Sequence, residues 1–164
     1  MTNENLKKAF AGESQASRKY AAFAEKAAQE GKKNVERLFK AASYSETIHA
    51  RKHLTVMGGI GDTVANLKEA IAGENSEHTD MYPQFIEEAE REGNADAALS
   101  FRYANEAEKA HEAYFSEALA AVEAGQDMPD VDIWVCDGCG YTMKGEAPER
   151  CPVCGAPRTM FTKF

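Results

Sequence analysis

The sequence predicts an all-α four-helix bundle followed by a small β domain that a metal ion stabilises. Three observations lead to this prediction. Residues 1–125 are rich in Ala, Glu, Lys and Leu and contain a single proline. Carboxylate and histidine side chains recur there at helical spacing. All four cysteines lie between residues 136 and 154, in two Cys-x-x-Cys pairs.

The first two helices are predicted from apolar residues at three- and four-residue steps, which give a helix one buried face. Helix A covers about residues 3–30 and ends at Gly31, a residue type favoured at the C′ position. Helix B is expected to begin at the N-cap Asn34 and to end at Gly58-Gly59. Its buried stripe includes Val35 and Leu38.

The second pair of helices has its own start and stop signals. Asp62 is the predicted N-cap of helix C. Pro83 lies inside this helix and lacks a backbone donor, so we expect a kink over residues 75–79. Gly93 is the predicted stop of helix C, and Asn94 is the predicted start of helix D, which continues to about Ala124.

Composition divides the chain into a helical domain over residues 1–125, a short polar linker over 126–132 and a second domain over 133–164. The second domain is rich in Gly, Pro, Cys and aromatic residues. Its roughly 32 residues are too few to fold on an apolar core alone, so a metal site has to stabilise it.

Charge and hydropathy exclude several classes of protein. The net charge of −8 argues against nucleic-acid binding, which needs a basic surface. No run of about 18 apolar residues is present, so no membrane-spanning helix is expected. The N-terminal residues lack the apolar segment of a signal peptide, which leads us to expect a cytoplasmic protein.

Two Glu-x-x-His motifs, Glu46 to His49 and Glu108 to His111, put a carboxylate and an imidazole one helical turn apart on the same face. Further carboxylates fall within the apolar stripes of helices A and C. The metal-capable set in the four helices is Glu13, Glu46, His49, Glu74, Glu77, Glu108 and His111.

This set points to a dinuclear metal site. Burial of an unpaired carboxylate costs several kcal/mol, so five carboxylates in a core require cations. Carboxylate and imidazole ligands suit iron, manganese or zinc, and oxygen-rich bridging sites favour iron or manganese. Solvated helix faces are the alternative, and a single Glu-x-x-His does not exclude it. The coincidence of two such motifs with the other glutamates favours metal.

The residues around these ligands resemble the rubrerythrin family. The matching segments are Ala11-Gly12-Glu13-Ser14-Gln15-Ala16, Gly73-Glu74-Asn75-x-Glu77, Met81-Tyr82-Pro83 and the two Glu-x-x-His motifs. The resemblance covers essentially the whole chain. It implies a ferritin-like di-iron bundle with a rubredoxin-like C-terminal domain. The implied activity is that of a non-haem peroxidase that reduces hydrogen peroxide to water and protects against oxidative stress.

The resemblance also implies a role for each ligand. Glu46 and Glu108 resemble bridging carboxylates. Glu13 resembles a terminal ligand of the first iron, and Glu74 and His111 resemble terminal ligands of the second.

Two further ligands resemble an exchanging pair. Glu77 would bind the first iron when both irons are ferric (Fe3+), and His49 would replace it when both are ferrous (Fe2+), because the extra anionic ligand matches the higher charge. Tyr20 and Tyr82 match tyrosines that hydrogen-bond to ligand carboxylates, with ordinary core tyrosines as the alternative. We interpret the neighbouring His78 as a structural residue.

The four cysteines form two knuckles, in each of which a glycine follows the second cysteine, so that backbone N–H groups point at the sulfurs. Four thiolates suit zinc or a single iron, and spacing does not decide between them. The flanking residues look like rubredoxin, which implies one iron that passes electrons to the di-iron site. Zinc in either site of recombinant protein is the alternative. The cysteines are Cys136, Cys139, Cys151 and Cys154, and the flanking residues are Trp134, Gly140, Tyr141, Pro152 and Gly155.

The link between helices B and C constrains the assembly. These helices run parallel in a ferritin-like bundle, so joining them within one chain needs a return path of roughly 30 Å. Residues 58–61 span only about 15 Å when extended. Either the first turns of helix C are not helical, or helices A and B of one chain pair with C and D of another. The second case is a domain-swapped homodimer, to which rubrerythrins with short links are similar.

The implied partners are hydrogen peroxide and an external electron donor. A rubredoxin or an NAD(P)H-dependent reductase would serve, since the chain has no Gly-x-Gly-x-x-Gly dinucleotide motif of its own. Two other functions are left open by the sequence. A ferroxidase or iron-storage protein would use the same ligands, and a zinc-ribbon interaction module would catalyse no reaction.

Overall fold

The computed structural model describes residues 1–164. Its helical part consists of α1 (Thr2–Gln29), α2 (Lys33–Val56), α3 (Thr63–Ser76), a π-helical segment (Glu77–Met81), α4 (Tyr82–Arg91) and α5 (Ala95–Glu123). Three strands follow: β1 (Ile133–Cys136), β2 (Thr142–Lys144) and β3 (Phe161–Lys163). They form one antiparallel sheet in the order β2-β1-β3. The predicted fold class, a helical chain with a small C-terminal β domain, is confirmed. None of the helices combines the length and apolarity needed to cross a lipid bilayer.

The chain forms two compact units, Met1–Gly61 and Asp62–Phe164. In the first unit α1 packs along α2. The hydroxyls of Ser17 and Thr47 lie 2.9 Å apart across these two helices. In the second unit α3 and α4 pack on α5, and β2 of the small sheet contacts the same helix. Each unit therefore contains one of the two Glu-x-x-His motifs.

Two helix starts follow the predicted capping signals. The Asp62 carboxylate accepts a hydrogen bond from the Ala65 amide at 2.8 Å, and the Asn94 side chain accepts one from Ala97 at 3.1 Å. Each contact satisfies an amide that has no partner within the helix. Helix α3 is therefore helical from its first turn, at Thr63.

The predicted N-cap of the second helix is wrong, because α2 already begins at Lys33 rather than after Asn34. Helix α1 ends in a tight turn at Gly31, whose φ of 70° favours glycine. The amide of Lys32 then donates to the Ala27 carbonyl at 2.8 Å. This closing turn brings the chain directly into the next helix and leaves no room for a separate cap.

Helix C is interrupted by a π-turn. Helix α3 ends at Ser76, and α4 begins after the five π-helical residues Glu77–Met81. Pro83 lies in the first turn of α4, directly after the π-helical residues, and lacks the N–H that a continuous helix would use at this position. The predicted disruption near residues 75–79 therefore overlaps a change in helix type.

The two helical pairs repeat each other, and the repeat explains the π-turn. A spacing of 62 residues separates Tyr20 from Tyr82, Phe39 from Phe101, Glu46 from Glu108, and His49 from His111. A spacing of only 61 separates Glu13 from Glu74. One extra residue thus lies between Glu74 and Tyr82, and a π-turn is the way in which an α-helix accommodates one extra residue.

The apolar stripe predicted on helix B is not fully buried in the single chain. Leu38 on α2 is 68% exposed, and Val35, one turn earlier, is 45% exposed. Two packed helices bury only the sides that they turn toward each other. This stripe therefore presents apolar surface to solvent.

The β domain has a very small core, and cysteines form its centre. Its buried residues are Cys136, Ala147, Cys151 and Phe161. The indole N–H of Trp134 donates to the Gly145 carbonyl at 2.9 Å and closes one side of this core. So little apolar volume agrees with the prediction that a metal ion stabilises the domain.

Candidate metal centres

The first cluster lies in the unit Met1–Gly61. Glu13 on α1 and Glu46 and His49 on α2 bring their ligand atoms within 4.8 Å of one another. Nδ1 of His49 lies 2.8 Å from a carboxylate oxygen of Glu46, as the i, i+3 spacing predicts. Three of the seven predicted helical ligands therefore meet here, in a set that suits one metal ion.

The second cluster lies in the unit Asp62–Phe164. Glu74 on α3 and Glu108 and His111 on α5 also meet within 4.8 Å. Nδ1 of His111 lies 2.7 Å from a Glu108 oxygen and 3.7 Å from a Glu74 oxygen. Burial, and then the hydrogen bond and charge of Glu108, raise the pKa of Glu74. Two carboxylates held this close repel each other, which favours the protonated form of Glu74, and a cation would relieve the same repulsion.

Glu77 and Tyr82 flank the second cluster. Glu77 is half-buried at the start of the π-turn and is not a member of the three-residue cluster. Burial, and then the charges of Glu108, Glu77 and Glu74, raise the pKa of Tyr82. The hydroxyl of Tyr82 therefore keeps its proton among these three carboxylates.

The two tyrosines sit in equivalent aromatic clusters. Tyr20 packs against Phe39 with ring centres 6.1 Å apart, and Tyr82 packs against Phe101 at 6.3 Å. A phenylalanine three residues after each tyrosine completes both clusters. The hydrogen bonds predicted from Tyr20 and Tyr82 to ligand carboxylates stay predictions.

The four cysteines converge on one point. Their sulfurs all lie within 4.8 Å, with 3.7 Å between Cys136 and Cys154 and 3.6 Å between Cys139 and Cys151. These separations are far beyond a disulfide bond of about 2.05 Å. They match the edge of about 3.8 Å expected for a tetrahedron of sulfurs around a metal at about 2.3 Å.

Backbone amides point at the sulfurs, as the glycine-containing knuckles predict. Burial raises the pKa of Cys136 and of Cys139, against hydrogen bonds from the Gly138 and Tyr141 amides. Burial also acts to raise the pKa of Cys151, but amides in the second knuckle and the Cys139 thiol lower it to about 7. These donors are placed to stabilise thiolate ligands.

The structure adds contacts to this second unit that the sequence did not indicate. The Glu112 carboxylate accepts a hydrogen bond from the Asn75 amide at 2.9 Å and pairs with His78. Thr142 of β2 contacts His111. No periodicity or motif in the sequence relates these residues to their partners. The contacts therefore become visible only in the packing on α5.

Two family models match the chain. The model of rubrerythrin matches residues 4–119. The model of the rubredoxin-like domain of rubrerythrin matches residues 134–162.

Named relatives match over most of their length. Rubrerythrin-2 of Clostridium acetobutylicum is 35% identical, with 100% of this chain and 97% of the relative covered. Rubrerythrin of Porphyromonas gingivalis is 37% identical, with 98% and 88% covered. Nigerythrin of Nitratidesulfovibrio vulgaris is 39% identical, with 99% and 86% covered.

Solved structures agree with these matches. Fully reduced, all-ferrous nigerythrin superposes with a TM-score of 0.59 at 35% identity and covers 100% of this chain and 87% of that chain. Nigerythrin in a mixed-valence state gives a TM-score of 0.56. Together with the two family models and the three metal-capable clusters, these matches show that the protein belongs to the rubrerythrin family, with a di-iron site in its helical part and a rubredoxin-like site at its cysteines.

Proposed function

We propose that this protein is a peroxidase that reduces hydrogen peroxide to water, with electrons relayed through an iron in the four-cysteine site. The observation that carries the proposal is the position of Glu77. This residue lies on a π-turn three residues after Glu74. Its charge, together with those of Glu74 and Glu108, raises the pKa of Tyr82, so all three carboxylates lie near this tyrosine. A general ferritin-like di-iron centre uses six protein ligands, and Glu77 is a seventh.

The reaction consumes two electrons and two protons for each peroxide and yields two molecules of water. When bound, the iron pair supplies the electrons and the Lewis acidity for cleavage of the O–O bond. Glu46 and Glu108 would be the carboxylates shared by the two irons. Glu13 would hold the first iron, and Glu74 and His111 would hold the second.

Glu77 and His49 would be the alternative ligands of the first iron, with Glu77 holding it in the ferric state and His49 in the ferrous state. The side chain of His49 is 50% exposed, so its ring has room to turn. Glu77 lies on a π-turn rather than within a regular α-helix. π-Turns recur at functional sites, and the extra residue gives Glu77 a position that has no counterpart in the first helical pair.

Tyr82 and Tyr20 hold ligand carboxylates in place by donating hydrogen bonds. A hydroxyl with a raised pKa stays protonated at neutral pH and remains a donor. Tyr82 thus keeps a proton close to the site where peroxide oxygens leave as water. Tyr20 occupies the equivalent position 62 residues earlier.

The helical part, residues 1–125, carries out the reduction, and residues 133–164, joined through the linker 126–132, supply its electrons. Cys136, Cys139, Cys151 and Cys154 hold the iron. An external rubredoxin or an NAD(P)H-dependent reductase renews the electrons, because the chain has no nucleotide-binding motif.

The active assembly is a domain-swapped homodimer. Helix α3 is helical from Thr63, so an unwound start of helix C does not explain the short link from Val56. Each compact unit contains only one cluster of three ligands. The exposed stripe at Val35 and Leu38 supplies apolar surface for a second copy of the chain.

Anaerobic consumption of hydrogen peroxide by the iron-loaded protein, with NADH and a reductase, tests the activity. Glu77→Ala should lower turnover by roughly 100-fold, because a misplaced or missing group at a reacting centre costs about that much. The ferric thiolate colour of the cysteine site should persist. Glu87→Ala on the exposed side of α4 is the matched control and should retain wild-type turnover.

Unchanged turnover in Glu77→Ala would contradict the ligand exchange. A wild-type protein that ignores peroxide but oxidises added ferrous iron and deposits a mineral would contradict the peroxidase proposal. A protein that is colourless after loading with iron would contradict the electron relay.

A further inference from the structure

The small β domain reaches the second metal-capable cluster through Thr142. The hydroxyl oxygen of Thr142 on β2 lies 2.8 Å from Nε2 of His111 on α5. Thr142 is only 9% exposed, one of two buried polar residues of the chain. The imidazole is therefore held on both sides, since Nδ1 faces Glu108 at 2.7 Å.

A second contact fixes β2 on the same face of α5. Lys144 pairs with Glu117 and lies 4.5 Å from the centre of the Tyr114 ring. Residues two apart on a strand point to the same side, and residues three apart on a helix share a face. Thr142 and Lys144 therefore meet a single stripe of α5 that begins at His111. The position of the Thr142 hydroxyl follows from this docking.

A hydroxyl suits the far side of a histidine ligand. A ring that binds a metal through Nδ1 carries its remaining proton on Nε2, and this N–H needs an acceptor. The Thr142 oxygen can accept it, because its own hydrogen can point to the Gly140 carbonyl 3.4 Å away. Gly140 directly follows Cys139, so the contact joins the first cysteine knuckle to His111.

We propose that Thr142 is the positioning residue of His111. Its hydroxyl accepts the Nε2 proton, directs Nδ1 toward Glu74 and Glu108, and so couples the metal affinity of the helical site to the docking of the cysteine domain. The inference rests on the proposed function only in taking His111 as a metal ligand.

The test compares Thr142→Val, which removes the hydroxyl at nearly constant volume, with Thr142→Ser, which keeps it. The full-length protein first receives Zn2+ at its cysteine site, and Co2+ is then titrated into the helical site and followed by its visible absorption. Thr142→Val should weaken Co2+ binding by roughly 10- to 100-fold, the usual effect of removing an outer hydrogen-bond partner. Thr142→Ser should restore it to within a few-fold. Thr162→Val is the control. It removes a hydroxyl from β3 of the same sheet that donates to Asp137, and it should leave Co2+ binding unchanged.

A second readout follows the proton itself. In protein fully loaded with diamagnetic Zn2+, the Nε2–H of His111 should give an NMR signal that exchanges slowly with solvent. The signal should persist in Thr142→Ser and exchange rapidly in Thr142→Val. Free exchange in the unmodified protein would overturn the proposal without any variant, as would wild-type Co2+ affinity in Thr142→Val. Neither readout uses peroxide, so a protein without peroxidase activity that passes both tests would refute the proposed function alone.

Discussion

Glu74 and Glu108 lie close to each other and to His111. Without a metal ion the two carboxylates repel each other and destabilise the folded state, whereas a bound metal ion would turn both into stabilising ligands. Burial, followed by the hydrogen bond and charge of Glu108, raises the pKa of Glu74 above its ordinary 4.5. A carboxyl that binds its proton more tightly in the folded state stabilises that state below pH 4.5. This stability is lost as pH rises through the raised pKa. At neutral pH the metal-free pair therefore opposes folding.

Glu74→Gln should reveal this effect. At pH 7 the metal-free variant should have a larger free energy of unfolding than the metal-free wild type, and the difference should shrink as pH falls through the raised pKa of Glu74 toward 4.5. Mn2+ should reverse the order at pH 7, because binding to the folded state stabilises the wild type by mass action. Urea denaturation followed by circular dichroism at several pH values measures both. Glu69→Gln on the exposed side of α3 is the control; an equal effect there would contradict the assignment to Glu74.

Residues within one helix were the most predictable part of the candidate sites. The partnership of Glu46 with His49, and of Glu108 with His111, follows from helix geometry alone. The meeting of Glu74 with the second pair needed a packing pattern that spans two helices. Thr142 gave no signal, because its contact depends on how β2 packs on α5 and not on any local spacing.

At the scale of elements, the π-turn shows where sequence reasoning from single residues is incomplete. Pro83 correctly indicated a disturbance in helix C but did not indicate a π-turn. The cause is one extra residue between Glu74 and Tyr82, which appears only when the two helical pairs are compared with each other. Caps at Asp62 and Asn94 were predictable because one side chain and one amide determine each of them.

Deletion of Thr79 should convert the π-turn into regular α-helix. The second helical pair would then have the same spacing as the first, so helical content by circular dichroism should stay unchanged. Glu77 would be rotated relative to Tyr82, and peroxide turnover should fall by roughly 100-fold, since misplacement of about 1 Å has that cost. Thr79→Ala keeps the residue count and should retain most of the activity. Wild-type turnover in the deletion variant would show that the π-turn is dispensable.

At the scale of the whole molecule, length was as informative as residue type. The segment between Val56 and Thr63 is short, and both helices that flank it are regular up to these ends. The composition change after residue 125 indicated where helices give way to strands, which begin at Ile133. The number of chains in the assembly follows from neither composition nor motif, because it depends on surfaces such as the stripe at Leu38.

Subunit complementation distinguishes a swapped dimer from an unswapped one. One chain carries Glu46→Ala with His49→Ala, and the other carries Glu108→Ala with His111→Ala. In a swapped dimer of these two chains, one site combines both altered pairs and the other combines both intact pairs. The mixed dimer, purified through two different tags, should therefore bind about half the wild-type helical metal and show about half the turnover. Each homodimer should be inactive.

A second mixed dimer, the reciprocal pair, is the control and should give the opposite outcome. It shows whether mixing two different chains restores activity regardless of which residues they carry. A wild-type chain combined with a chain that carries all four alanines has one altered half in every site if the dimer is swapped. That mixed dimer should be inactive, whereas an unswapped dimer would retain one intact site. Light scattering on each preparation verifies the dimer mass. A stable wild-type monomer of about 18 kDa would contradict the swap, because a monomer has no second chain with which to exchange helices. Activity in the reciprocal pair with none in the first pair would establish that each chain builds its own site.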